Sequence, residues 1–188
     1  PERLVPSNDS WTINHNSRAF TSQLTNSQQV AAYSGDYWSV DLTFNALVRG
    51  WNNDRELSAL VARLRGMFNT VKVPHFTRAN NRELGNVTLN VSAQSYAMTI
   101  QLAGLTDNFR AGDYITVGDQ MFEIVEDSVH IGGVANVTLN KPVRAGIIAG
   151  APVEYKNPYC VMRQANPSHT IRNQAVVSSS TLSLREAF

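Results

Sequence analysis

Charge is scarce in this chain. Of 188 residues only 16% are Asp, Glu, Lys or Arg, and the 16 basic and 15 acidic residues leave a net charge of +1. A typical domain carries about 25%. So balanced a chain presents no electrostatic footprint for nucleic acid or an anionic membrane, and neither is expected as a partner. Cysteine is nearly missing too. Cys160 stands alone, which excludes an intrachain disulfide and argues against a fold built for an oxidising compartment. Long apolar runs are also lacking. The longest, "AGIIAGAPV", falls far short of the roughly 20 residues that span a bilayer. The segment "PERLVPSNDSW" has no apolar signal core. The expectation is a soluble protein made in the cytoplasm.

What replaces charge is amide and hydroxyl. The chain holds 18 asparagines and many serines and threonines. A polar but weakly charged surface suits contact with other subunits, because charges are depleted at interface cores.

Most segments repeat with period two. In "WSVDLTFNAL", residues 38–47, Trp38, Val40, Leu42, Phe44 and Ala46 fall on one face and Ser39, Asp41, Thr43 and Asn45 on the other. That is a half-buried strand. The amide-rich "FTSQLTNSQQVAAYSG" before it reads as an edge strand or hairpin. One helix is predicted, over about 53–66. Leu57, Leu60, Val61 and Leu64 form its apolar stripe. Asn53 and Glu56 fit a capping box, and Gly66 fits the glycine just past a helix end. "TVKVPHF" returns as a strand, and "TRANNRELG" is a polar boundary loop. Five or six short strands then fit a small closed barrel of OB type. The chain therefore reads as mainly β: residues 1–83 and 156–188 form a β-sandwich with one packed helix, and 84–155 form an inserted OB-like barrel.

"FRAGDYITVGDQMFEIVED", residues 109–127, concentrates five carboxylates: Asp113, Asp119, Glu123, Glu126 and Asp127. Asp113 and Asp119 each follow a glycine and flank the strand "YITV". A strand of that length holds them roughly 13–20 Å apart, too far to share a proton or to act as a retaining glycosidase pair. The alternating oxygen ligands of a calcium loop are not in the pattern. Gly-Asp turn chemistry explains the stretch best.

No other motif points to chemistry. His15, His75, His130 and His169 are scattered without the spacing of a zinc site. Cys160, in "PYCVMR", reads as a core cysteine. "IGGVAN" is glycine-rich but no helix follows to complete a phosphate cradle. Arg49, Arg55, Arg63, Arg65, Arg78 and Arg82 thicken the middle of the chain. Within 84–155, however, three bases (Arg110, Lys141, Arg144) face seven acids, which opposes a phosphate-binding groove. No catalytic, cofactor-binding or metal-binding residue is assigned, and the chain is not read as an enzyme.

Three stretches in order carry a resemblance: "YSGDYWSVDLTFNAL", "LVARLRGMFNTVKVP" and "FRAGDYITVGDQMFEIVED…ANVTLNKPVRAGIIAGAPVEYKNPYCVMR". Together they resemble the distal tail proteins of long-tailed siphophages that infect Gram-negative bacteria, over roughly residues 28–163. The resemblance implies a structural virion protein at the tail tip with no active site. It implies a hexameric ring at the distal end of the tail tube, linking the tube protein to the hub and to receptor-binding or side-fibre proteins. The 18–34 edge and the 69–83 loop are the expected ring contacts. Residues 1–17 match nothing in that family. The competing expectation is a carbohydrate- or cell-surface-binding β module, marked by a shallow groove with exposed aromatics such as Trp11, Trp38 or Trp51.

Overall fold

The computed structural model describes residues 4–48, 52–173 and 177–188. In chain order the elements are β1 (Asn8–Asn14), β2 (Ser17–Thr21), β3 (Gln28–Ala32), β4 (Tyr37–Val48), α1 (Asn52–Leu64), β5 (Thr70–Pro74), β6 (Gly85–Leu89) and β7 (Thr99–Leu105). There follow β8 (Tyr114–Val117), β9 (Gln120–Glu123), β10 (Val134–Thr138), β11 (Val153–Glu154), β12 (Tyr159–Gln164), β13 (Arg172–Asn173) and β14 (Val177–Glu186). The chain is mainly β with one helix, as its period-two patterning predicts.

Contacts divide it into two units. The first takes the described residues up to Thr12, with Trp38–Thr77 and Tyr159–Phe188; the second takes Ile13–Tyr37 and Arg78–Pro158. The sequence placed the boundaries at 83/84 and 155/156; they fall at 77/78 and 158/159, and residues 13–37 group with the second unit.

The first unit is built on a six-stranded sheet in the order β1-β4-β14-β12-β5, with β13 paired to β14. Register explains its buried face. Val40 lies opposite Leu184, Leu42 opposite Leu182 and Phe44 opposite Ser180. Gln164 also faces Leu184, and Cys160 faces Val73. All of these are buried. Side chains directly opposite across an antiparallel pair share a face, so one face of the sheet is buried from β4 to β5, apolar but for a few polar groups such as Ser180 and Gln164. Ala46 and Asn53 lie outside the described side chains. A second facing sheet, as a sandwich needs, is not found among the described residues of this unit. Its remaining apolar stripe belongs to α1, whose Leu57 and Leu64 are fully buried. The helix stops at Leu64 because Arg65 and then Gly66 take positive φ, 49° and 65°. A Cβ at Gly66 would lie 2.9 Å from the Pro167 carbonyl oxygen, so glycine is required there.

The second unit holds two three-stranded sheets, β10-β7-β6 and β11-β8-β9, and the separate hairpin β2-β3. The two three-stranded sheets enclose a core that includes Leu89, Leu102, Phe109, Ile115, Phe122 and Val137. The barrel expected over 84–155 does not close. Only isolated bridges link the sheets, Thr88 to Pro152 and Ile124 to Leu139. At the second seam the Asn140 side chain does part of a strand's work: its Oδ1 accepts the Glu123 N–H at 3.0 Å, while the Asn140 N–H donates to the Glu123 carbonyl at 3.0 Å. Strands of four, four and two residues in β8, β9 and β11 are too short to carry ladders around a full circuit. Inside this unit the Tyr155 hydroxyl accepts the Leu84 N–H and donates to the Gly85 carbonyl, at 3.2 and 3.0 Å.

Candidate functional site

The carboxylate-rich stretch is turn structure. Val117 pairs with Gln120, which leaves Gly118 and Asp119 as a two-residue hairpin turn with φ of 56° and 62°. Positive φ at both positions is the I′ turn that matches strand twist. Asp113 and Asp127 cap the preceding bend. Asp113 Oδ2 accepts the Arg110 N–H and Asp127 Oδ1 accepts the Ala111 N–H, each at 2.8 Å. Arg82 reaches Asp113 with Nη2, and with Nη1 it donates to the Asn108 carbonyl at 2.9 Å. Carboxylates spent on backbone N–H groups and a guanidinium are structural. Glu123 stands opposite Tyr114, whose phenol pKa is pushed up to about 12, first by burial and then by the Glu123 charge and hydrogen bond.

The histidines do not converge. His15 Nδ1 lies 2.9 Å from Asp36 Oδ2, the buried His75 stacks on Trp11 at 4.7 Å, and His169 Nε2 lies 2.7 Å from Ser180 Oγ. Among the described residues no three His, Cys, Asp or Glu side chains gather as metal ligands would. Cys160 is buried in the sheet. Trp38 is buried, and Trp11 meets it edge-on at 6.3 Å; Trp51 and Arg49 lie outside the described residues. Arg78 sits 6.0 Å over the Tyr114 ring and Arg65 5.5 Å over Phe68. Arg65 and Arg78 each engage an aromatic ring of their own unit.

The β2-β3 hairpin stands apart from the two three-stranded sheets. Five residue pairs, from Ser17–Ala32 to Thr21–Gln28, hold it together, and it belongs to no larger sheet. Every residue of β2 is exposed. Phe20, Val30 and Tyr33 are at least half exposed, and Leu24 at the tip is 96% exposed. Phe20 pairs with Gln29 and Val30 with Ala19, so the two large apolar residues lie on opposite faces. Arg18 is its sole ionisable residue.

The hairpin's base is fixed while its body is bare. Asp36 Oδ1 accepts the Asn16 N–H at 2.8 Å, and the Tyr33 N–H donates to the Asn16 carbonyl at 2.8 Å. Arg144 Nη2 donates to the Asp36 carbonyl at 2.8 Å. The sequence marked the 18–34 edge, but not Asp36 as its clamp; the Ser-Gly-Asp that follows β3 is the turn signal that could have shown it. The other marked segment, 69–83, is mixed. β5 is an edge of the six-stranded sheet, whereas Asn80, Arg82 and Glu83 are tied by hydrogen bonds and ion pairs to the second unit's own residues.

The first unit also holds a polar cavity of about 450 Å³. Gln164, His169 and Ser180 line it together with several exposed hydroxyl and amide side chains. The serine-rich "SSSTLS" of β14 was the available signal. Comparison with known proteins identifies no kinship: no protein-family model and no curated protein matches the chain.

Proposed function

We propose that this chain is a structural ring component of a bacteriophage tail tip. It would assemble as a ring, a hexamer, at the distal end of the tail tube, and join the tube protein to the hub and to receptor-binding parts. The observation that carries the reading is the bare β2-β3 hairpin. An isolated two-stranded hairpin is marginal in water. One with exposed apolar residues on both faces, little charge and two open edges gains most by pairing with another chain. A head-to-tail contact of this kind closes a ring when the rotation between copies fits. The order of the three sequence stretches resembling distal tail proteins supports the same assignment. The role is assembly and docking, with no chemical step.

The test is the mass of the purified chain by light scattering over a concentration series, repeated with Phe20→Ser/Val30→Ser. Hexamers that fall apart in the double variant support the reading. A chain that stays monomeric at every concentration, and also fails to join tail-tip particles when mixed with tube and hub proteins, overturns it.

A further inference from the structure

The face of the six-stranded sheet opposite the buried one carries a pair of arginines. Arg163 on β12 lies directly across from Arg185 on β14, with Thr70 and Ser39 at the ends of the same row. Lys72, two residues along β5 from Thr70, shares that face. Like charges set directly opposite repel, and a carboxylate placed between them relieves the repulsion.

A cavity of about 240 Å³ is lined by both arginines, by Met67 and Phe188, and by Glu186. The Glu186 carboxylate is committed to the Trp38 N–H at 2.9 Å. Arg185 sits 5.9 Å over the Phe188 ring, and Arg163 Nη2 donates to the Phe188 carbonyl at 3.3 Å. Met67 and Phe188 are about half exposed, and Phe68, next to Met67, is 76% exposed. Arginine, methionine and aromatic side chains together are what interface cores are enriched in. A cationic socket with apolar walls fits a carboxylate that is carried beside apolar side chains.

The chain itself carries such a segment. Residues 111–133 hold five acids and no Lys or Arg. Within them Glu126 is exposed, and among the described residues its side chain makes no hydrogen bond or ion pair. Val125, Val129 and Ile131 beside it are 44%, 71% and 83% exposed. Among the described residues the first unit has seven bases and five acids, and the second has seven bases and nine acids. The opposite signs favour a first unit of one copy meeting a second unit of another over two first units meeting.

We propose that Glu126 of one copy enters the Arg163–Arg185 socket of the next, with Val125, Val129 and Ile131 against Met67, Phe68 and Phe188. The contact is heterologous, the kind that a closing ring needs. It rests on the reading of the chain as a ring component, and it adds a joint distinct from the β2-β3 hairpin.

The experiment follows three forms of the full chain by light scattering over a concentration series: wild type, Glu126→Arg, and Arg163→Glu/Arg185→Glu. Each variant alone sets like charge against like charge, and should associate about tenfold or more weakly than wild type. In an equimolar mixture the altered loop of one variant meets the altered socket of the other. Opposite charges then face each other at every joint, and association should return. Wild-type association should also weaken as salt rises from about 50 to 500 mM. If circular dichroism shows one variant unfolded, the other variant and the salt series decide. The joint is overturned if a folded variant associates as wild type does, or if the mixture gains nothing over its components; hexamers that persist in both variants overturn it while the ring reading stands. A wild-type chain that stays monomeric at every concentration also overturns the joint, and mixing with tube and hub proteins then decides the ring reading separately.

Discussion

The Glu186 carboxylate, at the end of β14, accepts the backbone N–H of Trp38, at the start of β4, at 2.9 Å. Both residues are buried. A charged acceptor on a main-chain donor is among the stronger hydrogen bonds. It pins the two longest strands of the first unit at the point where their ladder runs out. Glu186→Leu strands the Trp38 N–H and is expected to cost about 1–3 kcal/mol. Glu186→Gln keeps an amide oxygen in place and should cost less than half as much. Urea denaturation followed by tryptophan fluorescence measures both; equal losses would contradict this role.

Arg82 holds the Arg110–Asp113 bend by reaching Asp113, Asp107 and the Asn108 carbonyl at once. Arg82→Ala should destabilise the second unit by about 1–3 kcal/mol, because Asp113 is left half-buried without its cation. Arg82→Lys should recover little, since an ammonium cannot span three acceptors. Amide hydrogen exchange at Arg110 and Ala111 is the local readout and should quicken in both variants.

Gly104 and Gly112 separate two costs of a left-handed backbone. Their φ values are similar, 81° and 87°. A Cβ at Gly104 would lie 2.2 Å from the Asn86 carbonyl oxygen, whereas nothing lies within 4 Å of one at Gly112. Gly112→Ala should cost about 1–2 kcal/mol, the conformational penalty alone. Gly104→Ala should cost clearly more, because the β6-β7 pair must also part. Thermal or urea midpoints of the two variants give the difference.

Tyr114 sets an alkaline limit on stability. Its folded-state pKa of about 12 lies above the ordinary 10 because burial and the facing Glu123 carboxylate disfavour the phenolate. The unfolded chain loses this proton near pH 10 and the folded chain holds it longer. The contribution is therefore whole below pH 10 and is lost as pH rises towards 12, by about 2–3 kcal/mol in all. Tyr114→Phe should flatten the stability profile in that window, measured by urea denaturation at several pH values. An unchanged slope would refute the assignment.

Alternation of apolar and polar residues was enough to make the chain mainly β, because a strand half-buried on a sheet needs period two. The same logic gave the α1 stripe at Leu57 and Leu64, and Gly118–Asp119 announced its turn because few other pairs accept positive φ twice. Local rules failed where more than one residue met the same demand: Arg65 turned left-handed before Gly66 did, so α1 ended earlier than the glycine suggested.

Tertiary structure alone decided which strands pair. Alternation says which face of β4 is buried, yet is silent on β14 as its neighbour some 140 residues later. It could not show that the second unit's sheets stop short of a barrel, since closure depends on strand length at each seam. Nor could it show that Asp36 clamps a bare hairpin, or that the buried Gln164 oxygen finds no partner among the described residues. Each of these is set by contacts between residues far apart in the chain, and a hydrogen bond left unmade has no signature in sequence.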